Sequence, residues 1–354
     1  MGCCLHKDFK SPAVSGVSKE GMRRDIAART GVLRRRPLEE LLAEAWNSRG
    51  SHFDPVIGVS APSPKVYITA SFSNRRGRFA NISVTGTGCA LRCEHCRGRL
   101  LDDMIPAPTP EALVGTGAAL KKAGCRGVLV SGGSVSQGFV PLLPFAGAMG
   151  ELRRMGLKVI AHTGLIDRRT SKALKKAGVM QVLVDVMGDT RTIREVYHMR
   201  RRPADFRRAM LTMREAGLPL APHILLGLYF GKIRGEYRAL GYVTEASPEA
   251  IVVISITRIA GTAMAHVKPP APEEIARFLG IARLLNPATP IILGCMRQSG
   301  PEKPLVERLA VDAGVNAIAY PLDRTMEHAR RRGLRAVFTE DCCSLMGKEL
   351  PRRG

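Results

Sequence analysis

The sequence predicts an α/β fold in which a parallel sheet closes into a (β/α)8 barrel. From Phe79 onward, short runs rich in β-branched residues alternate with longer amphipathic stretches, which indicates strand and helix in repeated succession. Several amphipathic stretches end in Ala-Gly or Lys-Ala-Gly, the glycine stop typical of a helix C-terminus. Eight such units over roughly 250 residues match the size of a closed barrel. A doubly wound open sheet is the alternative.

The chain has 354 residues, of which 45% are hydrophobic, so it can bury one large core or two smaller ones. The predicted strands are 79–84, 127–130, 158–161, 181–186, 219–226, 250–256, 290–293 and 317–319. The predicted helices between them include 110–123, 142–155, 169–177, 204–216, 272–284 and 305–313. We divide the chain into an N-terminal extension (1–64), a barrel (65–335) and a short tail that carries a cysteine pair (336–354).

The predicted extension contains two helical stretches, near 22–34 and at 38–47, followed by a Pro- and Ser-rich linker at 60–64. The net charge of the chain is +23, mainly from short arginine runs that are dispersed along predicted helices. Dispersed runs are more typical of solvated helix faces than of a binding track, but a field of this size favours acidic partners. No membrane span or signal peptide is recognisable, and the nine cysteines fit a reducing cytoplasm better than a disulfide scaffold.

Three cysteines follow the first predicted strand and two glycines. Cys89, Cys93 and Cys96 lie four and three residues apart, and Gly86 and Gly88 allow the chain to turn tightly there. Thiolates hold iron–sulfur clusters, and a four-iron cluster has four corners, so three nearby cysteines leave one iron without a protein ligand. An open coordination position is the mark of a reactive metal site. Zinc is the alternative metal, although only the last two cysteines have the C-x2-C spacing usual in zinc sites.

Further candidate residues follow the other predicted strands. Because the carboxyl ends of barrel strands share one rim, where the active sites of such barrels form, we expect these residues to lie together. In chain order they are Ser131-Gly132-Gly133-Ser134, His162, Asp185, His223, the segment with Gly231, Ile233 and Gly235, Arg258, Cys295 and Arg297. Each also has a plain structural interpretation: a tight turn for the glycines, a hydrogen-bonded core residue for a histidine, and a surface charge for an arginine.

Cysteines outside the loop indicate a second metal group. Cys295 ends the seventh predicted strand, inside the predicted mouth, and Cys342 and Cys343 lie in the tail. Together these three thiols form a possible auxiliary iron–sulfur site, with Cys3, Cys4, Ser344 or an exogenous group as the fourth ligand. Cys125 precedes the second predicted strand, and we interpret it as a packing residue.

The C-x3-C-x2-C loop resembles that of the radical S-adenosylmethionine (SAM) enzymes, in which the residue before the third cysteine is often aromatic; here it is His95. The resemblance implies a [4Fe–4S] cluster on Cys89, Cys93 and Cys96, with SAM chelated by the open iron. It also implies reductive cleavage of SAM to a 5′-deoxyadenosyl radical, with His95 near the nucleoside.

Two glycine-bearing segments resemble further motifs of that family. Residues 131–134 resemble the Gly-Gly-Glu motif that binds the methionine amino group, although Ser134 stands where Glu is usual. The Gly231-x-Ile233-x-Gly235 stretch resembles the adenine-side motif. We also assign His162 to the cofactor site, and Cys295, Arg297 and Asp185 to catalysis.

Across about residues 65 to 335, the order of motifs is similar to the biotin synthase branch of that family, which includes sulfur-inserting enzymes. Residues 293–300, 313–321 and 340–344 are similar to the paired radical proteins of archaeal-type lipoyl synthesis. This resemblance implies sulfur insertion into a protein-bound octanoyl chain. It also implies three partners: an octanoylated carrier protein, a second radical SAM subunit, and an electron donor such as ferredoxin or flavodoxin.

Other function classes stay open at this point. A radical enzyme of biotin or hydrogenase-cofactor synthesis is nearest in chemistry. An RNA-modifying radical enzyme would also use the positive charge, but the chain has no aromatic–basic stacking stretch typical of RNA binding, so nucleic acid is not the expected partner. A non-catalytic iron–sulfur scaffold is the third class.

Overall fold

A computed structural model describes residues 18–297 and 299–351 of the chain. Its described part contains one sheet of eleven strands, and every pairing within the sheet is parallel. The strands are β1 (Val56–Ser60), β2 (Phe79–Ser83), β3 (Ile105–Pro106), β4 (Gly127–Ser131), β5 (Lys158–His162), β6 (Gln181–Asp185), β7 (Leu220–Leu226), β8 (Ile251–Ser255), β9 (Ile291–Leu293), β10 (Ala317–Ala319) and β11 (Arg335–Thr339).

The strand order confirms the predicted α/β barrel class and adds detail to it. The order is β11-β1-β10-β9-β8-β7-β6-β5-β4-β2-β3, so neighbours in sequence are mostly neighbours in the sheet. In the described residues the ladder ends at β3 and at β11, so the sheet is a curled partial barrel of eleven strands rather than a closed ring of eight. All eight predicted strands are present within two residues of their predicted ends.

Helices follow most strands, as expected where parallel strands are joined by crossovers. The helices are α1 (Lys19–Arg35), α2 (Leu38–His52), α3 (Pro110–Lys122), α4 (Ala146–Arg154), α5 (Arg168–Lys176), α6 (Thr190–Glu195), α7 (Pro203–Glu215), α8 (Glu236–Ala246), α9 (Pro272–Leu285), α10 (Lys303–Asp312), α11 (Asp323–Arg331) and α12 (Met346–Glu349). Among the described residues, no helix is both long and apolar enough to span a membrane.

Three strands were not predicted. Strand β1 lies in the predicted N-terminal extension and pairs with β10 and β11, so the sheet crosses both predicted domain boundaries. All five β1 residues are buried, although their sequence stands alone between a helix and the Pro-rich linker. The domain division itself stays a prediction.

The predicted extension packs on the barrel through buried arginines. Arg49 of α2 donates from Nε to the carbonyl oxygen of Val315 in the predicted barrel at 3.4 Å, and from its Nη atoms to the carbonyl oxygens of Asp54, at 3.2 Å, and of Val56. Arg283 of α9 donates to the carbonyl oxygens of Gly314, Pro287 and Thr289 at 3.1, 3.0 and 2.9 Å. Burial and the charge of Arg49 lower the pKa of Arg283 to about 9. These guanidinium groups satisfy buried backbone acceptors where the loops approach β1 and β10.

The tail fills the inside of the curled sheet. Leu345 packs with Phe79 of β2, Ile160 of β5 and Leu183 of β6. Met346 belongs to a second buried cluster, whose strand residues include Val56, Ala221, Ala250, Val252, Ile254, Ile292, Ala317 and Ala319. Because strands far apart in the order share this short segment, the sheet must curl around it, and the segment 342–350 forms an inner plug.

Close packing holds the inner plug at both ends. The backbone at Gly58 approaches Met346 so closely that a Cβ there would lie 2.2 Å from its Cε atom. At the entrance to the inner plug, the Ser60 hydroxyl donates to the Asp341 carbonyl oxygen at 2.8 Å, and Lys158 pairs with the Asp341 carboxylate. The tail is therefore an integral part of the core.

We predict that Leu345→Ala destabilises the protein strongly. Leu345 is 2% exposed, and removing its side chain leaves a cavity between strands β2, β5 and β6. The free energy of unfolding should fall by about 2–5 kcal/mol, as for other buried leucines. A comparable truncation at the surface, Ile68→Ala, removes a side chain that is 72% exposed. It should change the free energy of unfolding by less than about 0.5 kcal/mol. Thermal melting of cluster-free protein, monitored by circular dichroism, measures the stability of both variants. Equal melting temperatures of Leu345→Ala and Ile68→Ala would contradict the role of the inner plug.

Candidate metal and cofactor site

The cysteine loop leaves the end of β2 and turns back on itself. The Sγ atoms of Cys93 and Cys96 and a ring nitrogen of His95 lie within 4.8 Å of one another, in a group suited to a metal ion. Arg92 and Arg97 have φ values of 43° and 48°, in the left-handed region, which gives the loop its tight curvature. The local fold therefore directs thiols towards one point.

Burial and mutual contact set the charge of these thiols. Cys93 and Cys96 are buried and share a hydrogen bond, which lowers the pKa of Cys96 to about 4, with His95 contributing to the shift. The same contact, together with burial, raises the pKa of Cys93. Cys89 is only partly buried, but its charge adds to the rise at Cys93. A cluster of soft sulfur donors with one thiolate already favoured fits an iron–sulfur group.

Residues 131–134 lie directly against the cysteine loop. The Gly133 N–H donates to Thr85 Oγ1 at 2.7 Å, and the Ala90 N–H donates to the Ser134 carbonyl oxygen at 2.9 Å. A Cβ at Gly133 would lie 1.9 Å from the Gly88 carbonyl oxygen and 2.6 Å from Cys89 Cα. Only glycine permits this approach, so the predicted Gly-Gly pair brings the two loops together.

His95 has an unmet polar atom. Its side chain is buried, its ring lies 5.1 Å from the ring of Tyr197, and its Nδ1 atom has no hydrogen-bond partner among the described residues. A buried donor or acceptor without a partner is rare in folded proteins and indicates a missing ligand. Tyr197, which sequence analysis missed, is buried next to Asp185. Burial and the charge of that carboxylate both raise the pKa of the Tyr197 hydroxyl.

Three polar residues on adjacent strands meet on the inner face of the sheet: His162 and Asp185 end β5 and β6, and His223, in the middle of β7, pairs in register with Asp185. His162 is two residues beyond Ile160 on β5, Asp185 is two beyond Leu183 on β6, and His223 is two beyond Ala221 on β7. Side chains two apart on a strand share a face. Since Ile160, Leu183 and Ala221 belong to the buried clusters around the inner plug, the three polar side chains lie in the lumen just beyond it.

The charges of this trio are interdependent. Burial raises the pKa of Asp185, but the neighbouring His162 and His223 outweigh it and hold that pKa at about 2. Burial opposes protonation of His162, and the Asp185 carboxylate overcomes this and raises its pKa. Burial and the charge of His162 lower the pKa of His223 to about 4. At neutral pH the lumen therefore contains an ionised carboxylate and a neutral His223.

The segment with Gly231, Ile233 and Gly235 forms a compact turn after β7. Gly231 has φ 84°, and a Cβ there would lie 2.1 Å from the Lys268 carbonyl oxygen. The buried Glu236 carboxylate accepts from the N–H groups of Gly227, Arg234 and Gly235 at 3.0, 2.6 and 2.8 Å. Sequence analysis missed this glutamate, whose role is to hold the turn.

The second thiol group predicted from sequence is assembled on the lumen side. Cys295, Cys342 and Cys343 are in hydrogen-bond contact, which lowers the pKa of Cys295 to about 6, aided by the charges of Lys65 and Arg297. The same contacts raise the pKa of Cys343.

Of the suggested fourth ligands, Ser344 is among the described residues, and its hydroxyl donates to Cys342 Sγ at 3.4 Å. Cys3 and Cys4 lie outside the described residues. Cys125 is buried at the start of β4, where its thiol donates to the Gly127 carbonyl oxygen at 3.2 Å.

The two candidate arginines differ. Arg297 is buried, pairs with the Glu307 carboxylate, and donates from Nη1 to the Gly294 carbonyl oxygen at 2.7 Å. Lys303 approaches the same carboxylate at 2.8 Å. Arg258 is exposed. The Arg297 guanidinium therefore already has a carboxylate partner within the protein, and its charge reaches the Cys295 thiol.

Comparison with known sequences agrees with this geometry. The profile of the Radical SAM superfamily matches residues 83–231. A biotin synthase of Chromohalobacter salexigens is 25% identical over 181 residues, 49% of this chain and 46% of that protein. A biotin synthase of Pseudomonas putida is 25% identical over 177 residues, 48% of this chain and 47% of that protein. The chain thus spans about half the length of these curated relatives.

Solved structures agree in fold. The hydrogenase maturase HydG has a TM-score of 0.59 at 14% identity, covering 94% of this chain and 78% of its own. Methylornithine synthase (PylB) has a TM-score of 0.56 at 15% identity, covering 92% and 95%. At this identity the likeness concerns the fold alone.

The sequence match begins at the last residue of β2, includes the cysteine loop and ends at the turn after β7. We conclude that residues 83–231 of this chain are a radical SAM superfamily domain.

Proposed function

We propose that this protein is a radical SAM enzyme that inserts sulfur into an unactivated C–H bond of an octanoyl chain attached to a carrier protein. The observation that carries the proposal is the presence of two thiol groups in one barrel. Cys89, Cys93 and Cys96 lie at the mouth, and Cys295 meets the tail cysteines on the lumen side. A substrate that enters the mouth would lie between them.

The mouth fits a [4Fe–4S] cluster with bound SAM. It offers three thiols, of which Cys96 already favours the thiolate, and the unpartnered His95 Nδ1 faces a missing ligand. When bound, the cluster and SAM supply a 5′-deoxyadenosyl radical, which can remove hydrogen from an unactivated carbon.

The surrounding residues orient the reactants and exclude water. Hydrogen bonds of the Gly133 N–H to Thr85 and of the Ser134 carbonyl oxygen to Ala90 fix residues 131–134 against the cysteine loop, where other backbone groups of the segment would bind an amino-acid moiety. The ionised Asp185 offers an acceptor to a polar group in the lumen. Leu345 and Met346 pack against buried strand residues in the lower lumen, and this packing would obstruct water from that side. Such fixed positioning supplies much of the rate in enzymes of this kind.

The lumen thiols fit a sulfur-bearing auxiliary cluster. Lys65 and Arg297 both lower the pKa of Cys295, and positive charge nearby favours the thiolate that a metal requires. A cluster held there would supply sulfide: the octanoyl carbon would exchange its bond to hydrogen, which leaves with the radical, for a bond to sulfur, while an iron–sulfur bond would break and the iron would take up the surplus electron. Cys295, Cys342 and Cys343 would hold the cluster while the sulfur is transferred.

We propose three partners from the same reasoning. The first is the octanoylated carrier protein, the second is another radical SAM subunit, and the third is an electron donor such as ferredoxin or flavodoxin. The net charge of +23 would attract acidic proteins of each kind and raise their rates of association.

Biotin-synthase-like sulfur insertion into a free small molecule is the second candidate. The curated relatives named above, all biotin synthases, favour it. The two candidates differ in the substrate that must reach the lumen, since one is anchored to a protein and the other is free.

The substrate test is anaerobic reconstitution with iron and sulfide, then reduction with SAM and an octanoyl-carrier peptide, with and without the partner subunit. We expect 5′-deoxyadenosine release together with a mass gain on the peptide that corresponds to sulfur replacing hydrogen. A parallel reaction with dethiobiotin tests the second candidate. Nucleoside release with no change in the peptide, even with the partner present, would remove the octanoyl assignment.

The mouth cysteines should control both iron binding and SAM cleavage. In Cys96→Ala, we expect loss of the cluster at the mouth and a fall in 5′-deoxyadenosine formation of more than about 100-fold, because the open iron is no longer held. Cys125→Ala removes a buried thiol that belongs to neither group and should retain both properties. Iron analysis and nucleoside assay check the pair. Unchanged cleavage by Cys96→Ala would refute the assigned ligand set.

The lumen cysteines should control only the second half of the reaction. Cys295→Ala is expected to retain 5′-deoxyadenosine formation, because the mouth is intact, and to lose sulfur insertion into the peptide. The Cys125→Ala protein again provides the matched control. If sulfur insertion survives in Cys295→Ala, the auxiliary-cluster proposal fails.

A further inference from the structure

We propose that His162, Asp185 and His223 form a separate binding site for one divalent transition-metal ion inside the barrel lumen. The site would be distinct from both cysteine groups and would take a metal such as Fe²⁺, Co²⁺ or Zn²⁺ through two imidazole nitrogens and one carboxylate oxygen. The proposal does not depend on sulfur insertion. It gives His162 and Asp185 a metal-binding role instead of the cofactor and catalytic roles predicted from sequence.

Geometry is the first support. One ligand atom from each of the three side chains lies within 4.8 Å of the other two. His162 Nε2 and Asp185 Oδ1 are 3.4 Å apart. This separation is long for a charged hydrogen bond, but it equals the edge of a tetrahedron whose metal–ligand bonds are about 2.1 Å. The ring centroids of His162 and His223 are 5.7 Å apart, so one nitrogen of each ring can reach the same metal ion.

The second support is an unmet polar atom. His162 Nε2 is buried, and although it lies 3.4 Å from its ionic partner Asp185 Oδ1, it forms no hydrogen bond of good geometry with any residue that the structure describes. If His162 and Asp185 formed only an ion pair, we would expect a shorter distance between Nε2 and Oδ1 and a well-aligned hydrogen bond to this nitrogen. A metal ion between the two groups accounts for both the gap and the unpartnered atom.

The third support is the hydrogen bond that orients the second imidazole, His223. His223 Nδ1 lies 3.0 Å from the Ala221 carbonyl oxygen, so this nitrogen carries the proton and donates it. The Nε2 atom is then the one with the free lone pair. Metal-ligating histidines almost always donate their other N–H group to a carbonyl or carboxylate in this way.

Donor chemistry and access decide the class of metal. Two imidazoles and a carboxylate with open positions are typical of Fe²⁺ oxygenase-type and Zn²⁺ catalytic sites, whereas Mg²⁺ and Ca²⁺ prefer oxygen ligands alone. The His162 and Asp185 side chains are 33% and 29% exposed although they lie inside the barrel, so they border open lumen space. Remaining coordination positions would face the substrate.

The test is a Co²⁺ titration of full-length protein prepared without iron, in a background where the cysteines of both thiol groups (Cys89, Cys93, Cys96, Cys295, Cys342 and Cys343) are replaced by serine. We expect about one equivalent of Co²⁺ with visible d–d absorption and no sulfur-to-cobalt band in the near ultraviolet. His162→Ala and His223→Ala should each weaken binding by at least about tenfold. His328→Ala is the matched control, since His328 of α11 pairs with Asp312 of α10 at 2.9 Å and belongs to neither the trio nor the cysteine groups.

Folding is checked separately. Circular dichroism compares each variant with its parent, and Asp185→Asn provides an isosteric change that removes only the charge and should also weaken Co²⁺ binding about tenfold. If the six-serine background does not fold, iron-free wild-type protein is titrated beside its own His162→Ala and His223→Ala variants, and the difference in bound Co²⁺ between them measures the proposed site, because the thiols are the same in each. Equal Co²⁺ affinity in folded His162→Ala, His223→Ala and His328→Ala proteins, or no Co²⁺ binding by the folded six-serine parent, would overturn the site.

Discussion

The structure depends on one constraint: parallel strands that curl around a short apolar segment must alternate their side chains between the outer helices and the lumen. At the lower level of the lumen, Ile160 and Leu183 pack on Leu345 of the inner plug. Two residues further along the same strands, the inward positions are His162 and Asp185. The same register that builds the core therefore places the polar groups directly above it, at the rim where the cysteine loop begins.

Sequence analysis found most of the barrel because its strands are apolar runs separated by amphipathic helices with glycine stops. The three strands it missed lack that context: β1 follows a helix and precedes a Pro-rich linker, β3 has two residues, and β11 begins with a charged residue. Their pairing depends on contacts between distant parts of the chain. Local periodicity does not contain that information.

The candidate site divides in the same way. The cysteine loop is a local motif, so its three candidate ligands could be proposed from spacing alone, and the structure places Cys93, Cys96 and His95 together. A group of Cys295 with the tail cysteines was also predicted, but local patterns did not indicate how the tail would enter the barrel to reach Cys295. Arg297 was assigned to catalysis from sequence, and its pairing with the Glu307 carboxylate could not be predicted because that residue lies on a different element. Tyr197 and Glu236 carried no sequence signal, because their roles arise from burial next to Asp185 and to the turn after β7.

The central claim is that three thiolates at the mouth leave one iron of a cluster open for SAM. Electron paramagnetic resonance of the reconstituted, reduced protein tests it directly, because a ligand that binds the open iron changes the electronic environment of the cluster. The account predicts a reduced-cluster signal whose g values shift when SAM is added, and no such signal when Cys89, Cys93 and Cys96 are all replaced. A full complement of iron with a spectrum that SAM leaves unchanged would contradict it.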